Sequence, residues 1–117
     1  MSKRGLTTSM LDDAIKEASK GYTIGIVAYS AEYARELCER TEKMLSNKGS
    51  MVYRRFAETR ITIYNMNMEG HIVFTSPRRE LHGMDQIMVD HYTWESLLAQ
   101  GTAKSFAIYQ ELNDLSV

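Results

Sequence analysis

The segment Tyr22-Thr23-Ile24-Gly25-Ile26-Val27-Ala28-Tyr29 narrows the fold more than any other stretch of the chain. Its apolar residues run on almost without interruption instead of alternating with polar ones, and such a strand requires cover on both faces. That is the signature of a parallel sheet, and helical patterns flank it. Upstream, between Met10 and Ala18, the residues Leu11, Ala14, Ile15 and Ala18 recur at offsets of three and four, as one face of an amphipathic helix demands, and Gly21 ends the pattern. Downstream, the Ser30 hydroxyl is placed to cap a second helix. Ala34, Leu37, Cys38, Thr41 and Leu45 trace its buried face before Asn47 and Gly49 stop it.

The remaining elements are shorter. Met51 to Phe56 reads as a strand, and Arg54 and Arg55 within it suit an edge. Arg60 to Met66 and His71 to Thr75 flank the turn-like Met68-Glu69-Gly70 and predict a β-hairpin. Ser76-Pro77 reads as the start of a short helix ended by Gly83. Gln86 to Asp90 is a further buried strand. Thr93 is placed to cap a helical region through Leu98, and a second one runs from Ala103 to Leu112. Helix, strand, helix is the rhythm of a βαβ architecture. The expectation is one three-layer α/β domain over residues 1–117, with a mostly parallel sheet, helices on both faces and an appended antiparallel hairpin.

Composition agrees with one domain: 117 residues at 44% hydrophobic content bury a core without disulfide or metal staples. Fourteen Lys and Arg against 15 Asp and Glu leave a formal charge of −1, so any nucleic-acid surface has to be local. A lone cysteine, Cys38, favours a reducing compartment and reads as a packing residue. No apolar run approaches the ~20 residues of a membrane span, and Met1-Ser2-Lys3-Arg4-Gly5 leads into no signal-peptide core. A soluble, cytoplasmic protein is expected. The eight methionines are scattered through the strands and helices as adaptable core filler.

Two places invite chemistry. Gly5-Leu6-Thr7-Thr8-Ser9-Met10-Leu11 is similar to the end of a phosphate-binding loop, Gly-Lys-Thr-Thr-x-Met-Leu, with leucine where the lysine belongs. Ile87-Met88-Val89-Asp90-His91 resembles the apolar strand that ends in an acidic residue, here Asp-His in place of Asp-Glu. Between them, Ile26 to Ser30 with Tyr33 to Leu37, and then Ile61 to Arg79, follow the order of strand, helix and hairpin in a P-loop NTPase core. The chain therefore resembles a degenerate core of that kind, similar to phage terminase large subunits and helicase ATPase domains. The resemblance implies a vestigial nucleotide site at Gly5, Thr7, Thr8, Asp90 and His91, and, through its terminase-like parts, a phage-encoded protein working in a host cytoplasm. The family's first strand and earlier glycines would precede Met1. Their absence implies a bare edge beside the strand ending at Asp90, and hence a homodimer.

The departures weigh against catalysis. Phosphoryl transfer relies on charge stabilisation and positioning. Leu6 cannot neutralise a phosphate, and neutral His91 is a poor substitute for a carboxylate beside the attacking water. ATP hydrolysis is disfavoured, and no cofactor or catalytic residue is expected. His71, His82 and His91, with Asp85 and Asp90, lack the short spacing of a zinc site, so no metal is expected either. Ser30, Ser76 and Thr93 read as caps and not nucleophiles, since no Gly-x-Ser-x-Gly surrounds them. Arg54, Arg55, Arg78 and Arg79, together with Lys3 and Arg4, are candidate phosphate-backbone contacts, against their ordinary reading as solvated charge. Tyr92 and Trp94 read as core packing ahead of a partner patch. The resulting expectation is a non-catalytic NTPase-like module that binds a host or phage protein, or itself, and no membrane. Its alternatives are a nucleic-acid-binding accessory protein and a residual nucleotide binder or weak NTPase completed by a partner chain.

Overall fold

The structure, a computed structural model, describes residues 3–49, 51–57, 59–77 and 81–116. In chain order the elements are α1 (Lys3–Ser19), β1 (Thr23–Val27), α2 (Ala31–Lys48), β2 (Val52–Ala57), β3 (Arg60–Asn65), β4 (Met68–Thr75), β5 (Gln86–Val89), α3 (His91–Gln100) and α4 (Ala103–Leu115). The strands form one five-stranded sheet in the order β2-β3-β4-β1-β5. β1 runs parallel to both β4 and β5, whereas β3 pairs antiparallel with β2 and β4.

The sheet is therefore mixed, not mostly parallel as its apolar strands imply. The hairpin is not an appendage. β4 is at once the last strand of the meander β2-β3-β4 and the parallel neighbour of β1, so half of the sheet is antiparallel. An apolar run reports burial on both faces, and burial does not fix strand direction.

Two cores lie on opposite faces of β1, because successive side chains of a strand alternate. Ile24 and Ile26 join Leu11, Ala14 and Ala18 of α1, Ala34, Leu37 and Leu45 of α2, and Ile61, Ile63, Ile72 and Phe74 of the hairpin. Val27 joins Ile87 of β5, Leu97 of α3 and Leu112 of α4. Helices thus cover both faces of the parallel half. Ser30 caps α2 by accepting from the Tyr33 amide, and Gly49 ends that helix with a φ of 69°, as the sequence requires.

Four local readings change. α1 begins at Lys3, so Gly5 to Leu11 is helix and not loop. The buried spacing Thr7, Leu11, Ala14, Ala18 already continues the helical face upstream, and no proline interrupts it. The hairpin turns at Met66-Asn67, where Met66 takes a φ of 56°. Gly70 instead lies within β4 under the end of α1, where an added Cβ would run into the Ala18 backbone. Of the helix expected after Ser76-Pro77, the flanks Ser76, Pro77, Leu81, His82 and Gly83 are turn and loop, while residues 78–80 lie outside the described residues. Finally, Asp90 and not Thr93 caps α3, its carboxylate accepting from the Tyr92 amide at 3.1 Å. Among the described residues, no helix is long and apolar enough to cross a membrane.

Candidate functional site at the strand ends

In an open sheet with parallel strands, ligand crevices form beyond the carboxyl ends of the strands, where neighbouring connections leave for opposite faces. β1 and β5 meet that condition, since α2 packs on one face of the sheet and α3 on the other. Asp90 follows β5 and is held there from three sides. Its amide donates to the Val27 carbonyl at 3.2 Å, its carbonyl accepts from the Thr93 amide, and its carboxylate caps α3. Thr93 adds a further tie between these strands by donating its hydroxyl to the same Val27 carbonyl at 3.1 Å.

The second carboxylate oxygen of Asp90 accepts a hydrogen bond from the Thr7 hydroxyl at 2.9 Å, and both residues are 0% exposed. α1 supplies Thr7 from the same buried face that carries Leu11, Ala14 and Ala18. His91 stands beside the pair, with its Nδ1 3.5 Å from the Thr7 oxygen and 3.8 Å from the Asp90 carboxylate. Tyr33 of α2 closes the group. Its hydroxyl is buried, with no hydrogen bond of good geometry among the described residues, and burial, followed by the Asp90 charge, holds its pKa well above that of an ordinary phenol. Tyr33 stacks on Tyr29 with ring centroids 4.6 Å apart and meets Tyr92 edge-on at 6.2 Å, while His91 lies 4.0 Å from Tyr92. The His91 Nε2 atom is also buried with no hydrogen-bond partner among the described residues. The arrangement is a closed polar knot under an aromatic lid, suited to locking three helices onto a strand end.

Of the residues read as a vestigial nucleotide site, the fold brings Thr7, Asp90 and His91 together. Gly5 sits one short step away in the first turn of α1. Thr8 points outward, and its hydroxyl accepts from the Arg40 guanidinium at 3.1 Å. Leu6 is 45% exposed, an apolar side chain at the surface. Sequence reasoning missed Tyr33, whose place on the buried face of α2, one residue before Ala34, is the signal that identifies it.

The arginines divide. Arg54 pairs with Thr62 and Arg55 with Ile61, so the two side chains point to opposite faces of the sheet and do not form one basic patch. Arg55 stands on the helix-covered face near Cys38, where it draws the thiol pKa down against the larger effect of burial, which pushes it up to about 11. Arg78 and Arg79 lie outside the described residues, as do the side chains of Lys3 and Arg4. Among the described residues, no three His, Cys, Asp or Glu side chains gather as metal ligands would. Tyr92 and Trp94 both pack against core, Trp94 meeting Tyr109 at 4.9 Å.

No protein-family model, curated protein sequence or solved structure matches the chain. The functional reading therefore rests on the geometry.

Proposed function

We propose that the chain is a non-catalytic, degenerate NTPase-like module that acts by binding protein and does not turn over nucleotide. The observation that carries this reading is the bond from Thr7 to Asp90. In P-loop NTPases the hydroxyl at the helix start and the acidic residue at the strand end both serve magnesium. Here the corresponding pair, 83 residues apart in sequence, meets directly at 2.9 Å and is fully buried. Each group satisfies the other. A magnesium ion would have to break a buried charge-assisted hydrogen bond and displace the cap of α3.

Two neighbours support the same reading. Leu6 offers hydrocarbon where a lysine would meet the β- and γ-phosphates, and the Gly5–Thr8 segment is helix instead of a loop that wraps phosphate. A crevice of about 400 Å³ opens near Tyr29, Ser30 and Ser76, and among the described residues the cation on its lining is Lys104. Calorimetric titration with magnesium ATP tests the proposal. No saturation is expected below about a millimolar, and a dissociation constant in the low micromolar range would overturn it.

A further inference from the structure

Among the described residues, no strand lies beside the outer edge of β5. The strand is the last in the sheet, and a groove of about 450 Å³ runs along its outer side, walled by Leu6, Ser9, Met10 and Asp13 of α1, by Trp94 and by Ser116. The backbone groups facing that groove follow from the ladders. The amides of His71 and Ala28 bond to Tyr22 and Thr75 respectively, so Tyr22, Ile24, Ile26 and Ala28 serve β4. Thr23, Gly25 and Val27 are left for β5, and the Asp90 amide on the Val27 carbonyl continues that series. Gln86 and Met88 therefore turn their backbones toward β1. Ile87 and Val89 turn theirs outward, with no strand beside them among the described residues.

We infer that this edge accepts the β5 strand of a second copy, antiparallel, to make a two-fold dimer with one continuous sheet. The inference rests on the protein-binding reading above and names the partner. Three observations favour a second copy. A strand laid along this edge meets Leu6 and Met10 on one face and Trp94 on the other, and β5 offers apolar side chains to both: Met88 packs toward the α1 core, Ile87 and Val89 toward the other. It carries no charge, so two-fold pairing sets no like charges opposite each other within the strand. The backbone pattern also selects a register. With the axis at Met88, Ile87 of each copy faces Val89 of the other, both side chains stay on their own face, and all the outward groups pair in about four hydrogen bonds. Moving the axis to Ile87 leaves Val89 opposite Asp85, whose amide is already given to Thr23.

In this register Met88 faces its own copy as a non-hydrogen-bonded pair, the geometry in which Cβ atoms approach most closely. The test is Met88→Cys with Val52→Cys, on the far edge, as control. Native Cys38 is buried and its raised pKa keeps it out of the reaction. Under mild oxidation, Met88→Cys is expected to give a covalent dimer in high yield and Val52→Cys several-fold less. Light scattering of the unmodified chain is expected to approach twice the monomer mass between about 1 and 300 μM, and Met88→Lys to return it to monomer with its circular dichroism unchanged. A monomer throughout, with no cross-link through Met88→Cys while the fold stays native, overturns the inference; so does equal cross-linking at Val52→Cys. Either result leaves the protein-binding reading standing with a foreign strand as the occupant. Micromolar binding of magnesium ATP overturns that reading whatever the oligomeric state.

Discussion

The two edges of the sheet are built on opposite plans. β2 carries Arg54 and Arg55 at its middle, and its register with β3 shifts between Arg55 and Ala57. Charge and a bulge are two of the ordinary means by which an edge is kept from pairing. β5 has neither, since Gln86–Val89 is uncharged and its ladder with β1 runs without a shift. A sheet that guards one edge and leaves the other uncharged, with Leu6 and Met10 beside it, offers a further strand two unequal edges. The edge proposed to pair lies next to Asp90, at the carboxyl end of β5. On this reading the residues around that site hold an edge in shape and do not hold a nucleotide.

α1 joins the two halves, and the largest expected effect is to unseat it. Its C-terminal end lies on Gly70 of β4, with the Asn65 amide donating to the Ser19 carbonyl at 3.0 Å, and its N-terminal end is bonded to Asp90. A Cβ at Gly70 would meet the Ala18 carbonyl and come within 2.9 Å of the Ala18 Cα, backbone that cannot step aside. Gly70→Ala is expected to cost upwards of about 4 kcal/mol or to prevent folding, read by denaturant unfolding. A loss below about 1 kcal/mol would mean that α1 sits farther from the sheet, and the wall beside the β5 edge would go with it.

The knot at the other end of α1 comes next. Asp90→Ala removes the cap of α3 and strands the Thr7 hydroxyl in a buried site, for a loss of about 2–4 kcal/mol. Thr7→Val keeps the shape but takes away one donor from a carboxylate still held by the Tyr92 amide, and about 1–3 kcal/mol is expected. Their double mutant should lose less than the sum. Strict additivity would show the two groups to be independent and remove the observation on which the functional proposal stands.

Much of this fold is legible in the sequence, for identifiable reasons. α2 is read almost residue for residue, because Ser30, its buried stripe and Gly49 are local signals that agree with one another. The hairpin strands are legible too, but their turn is not: Gly70 resembles a turn glycine, and only the approach of α1 from 50 residues away reveals why a side chain is excluded there. The direction of β4 relative to β1 depends on which strand it pairs with, a long-range choice that apolar content does not encode. Asp90 and Thr7 are legible as a pair of interest through the resemblance, while their direct bond depends on α1 starting earlier than its first strong apolar residue. Tyr33 is legible as a buried residue of α2 from its place beside Ala34, but its meeting with Asp90 depends on how three helices come together.

The smallest effects are expected on the guarded edge, and they sharpen the contrast most. Val52 is 62% exposed on β2, so Val52→Lys should change stability by no more than about 0.5 kcal/mol and leave the association of the chain untouched. Met88→Lys on β5 is expected to abolish that association. The arginines give a finer version of the same test within one strand. Arg54 is exposed on the uncovered face, and Arg54→Ala should fall within about 0.5 kcal/mol. Arg55 is half-buried on the helix-covered face and close enough to Cys38 to lower its pKa, so Arg55→Ala removes packing as well as charge. A loss of about 1 kcal/mol is expected there, measured by thermal unfolding. Equal effects at the two positions would show that the alternation of β2 does not set their surroundings, and that the arginines do form a single surface after all.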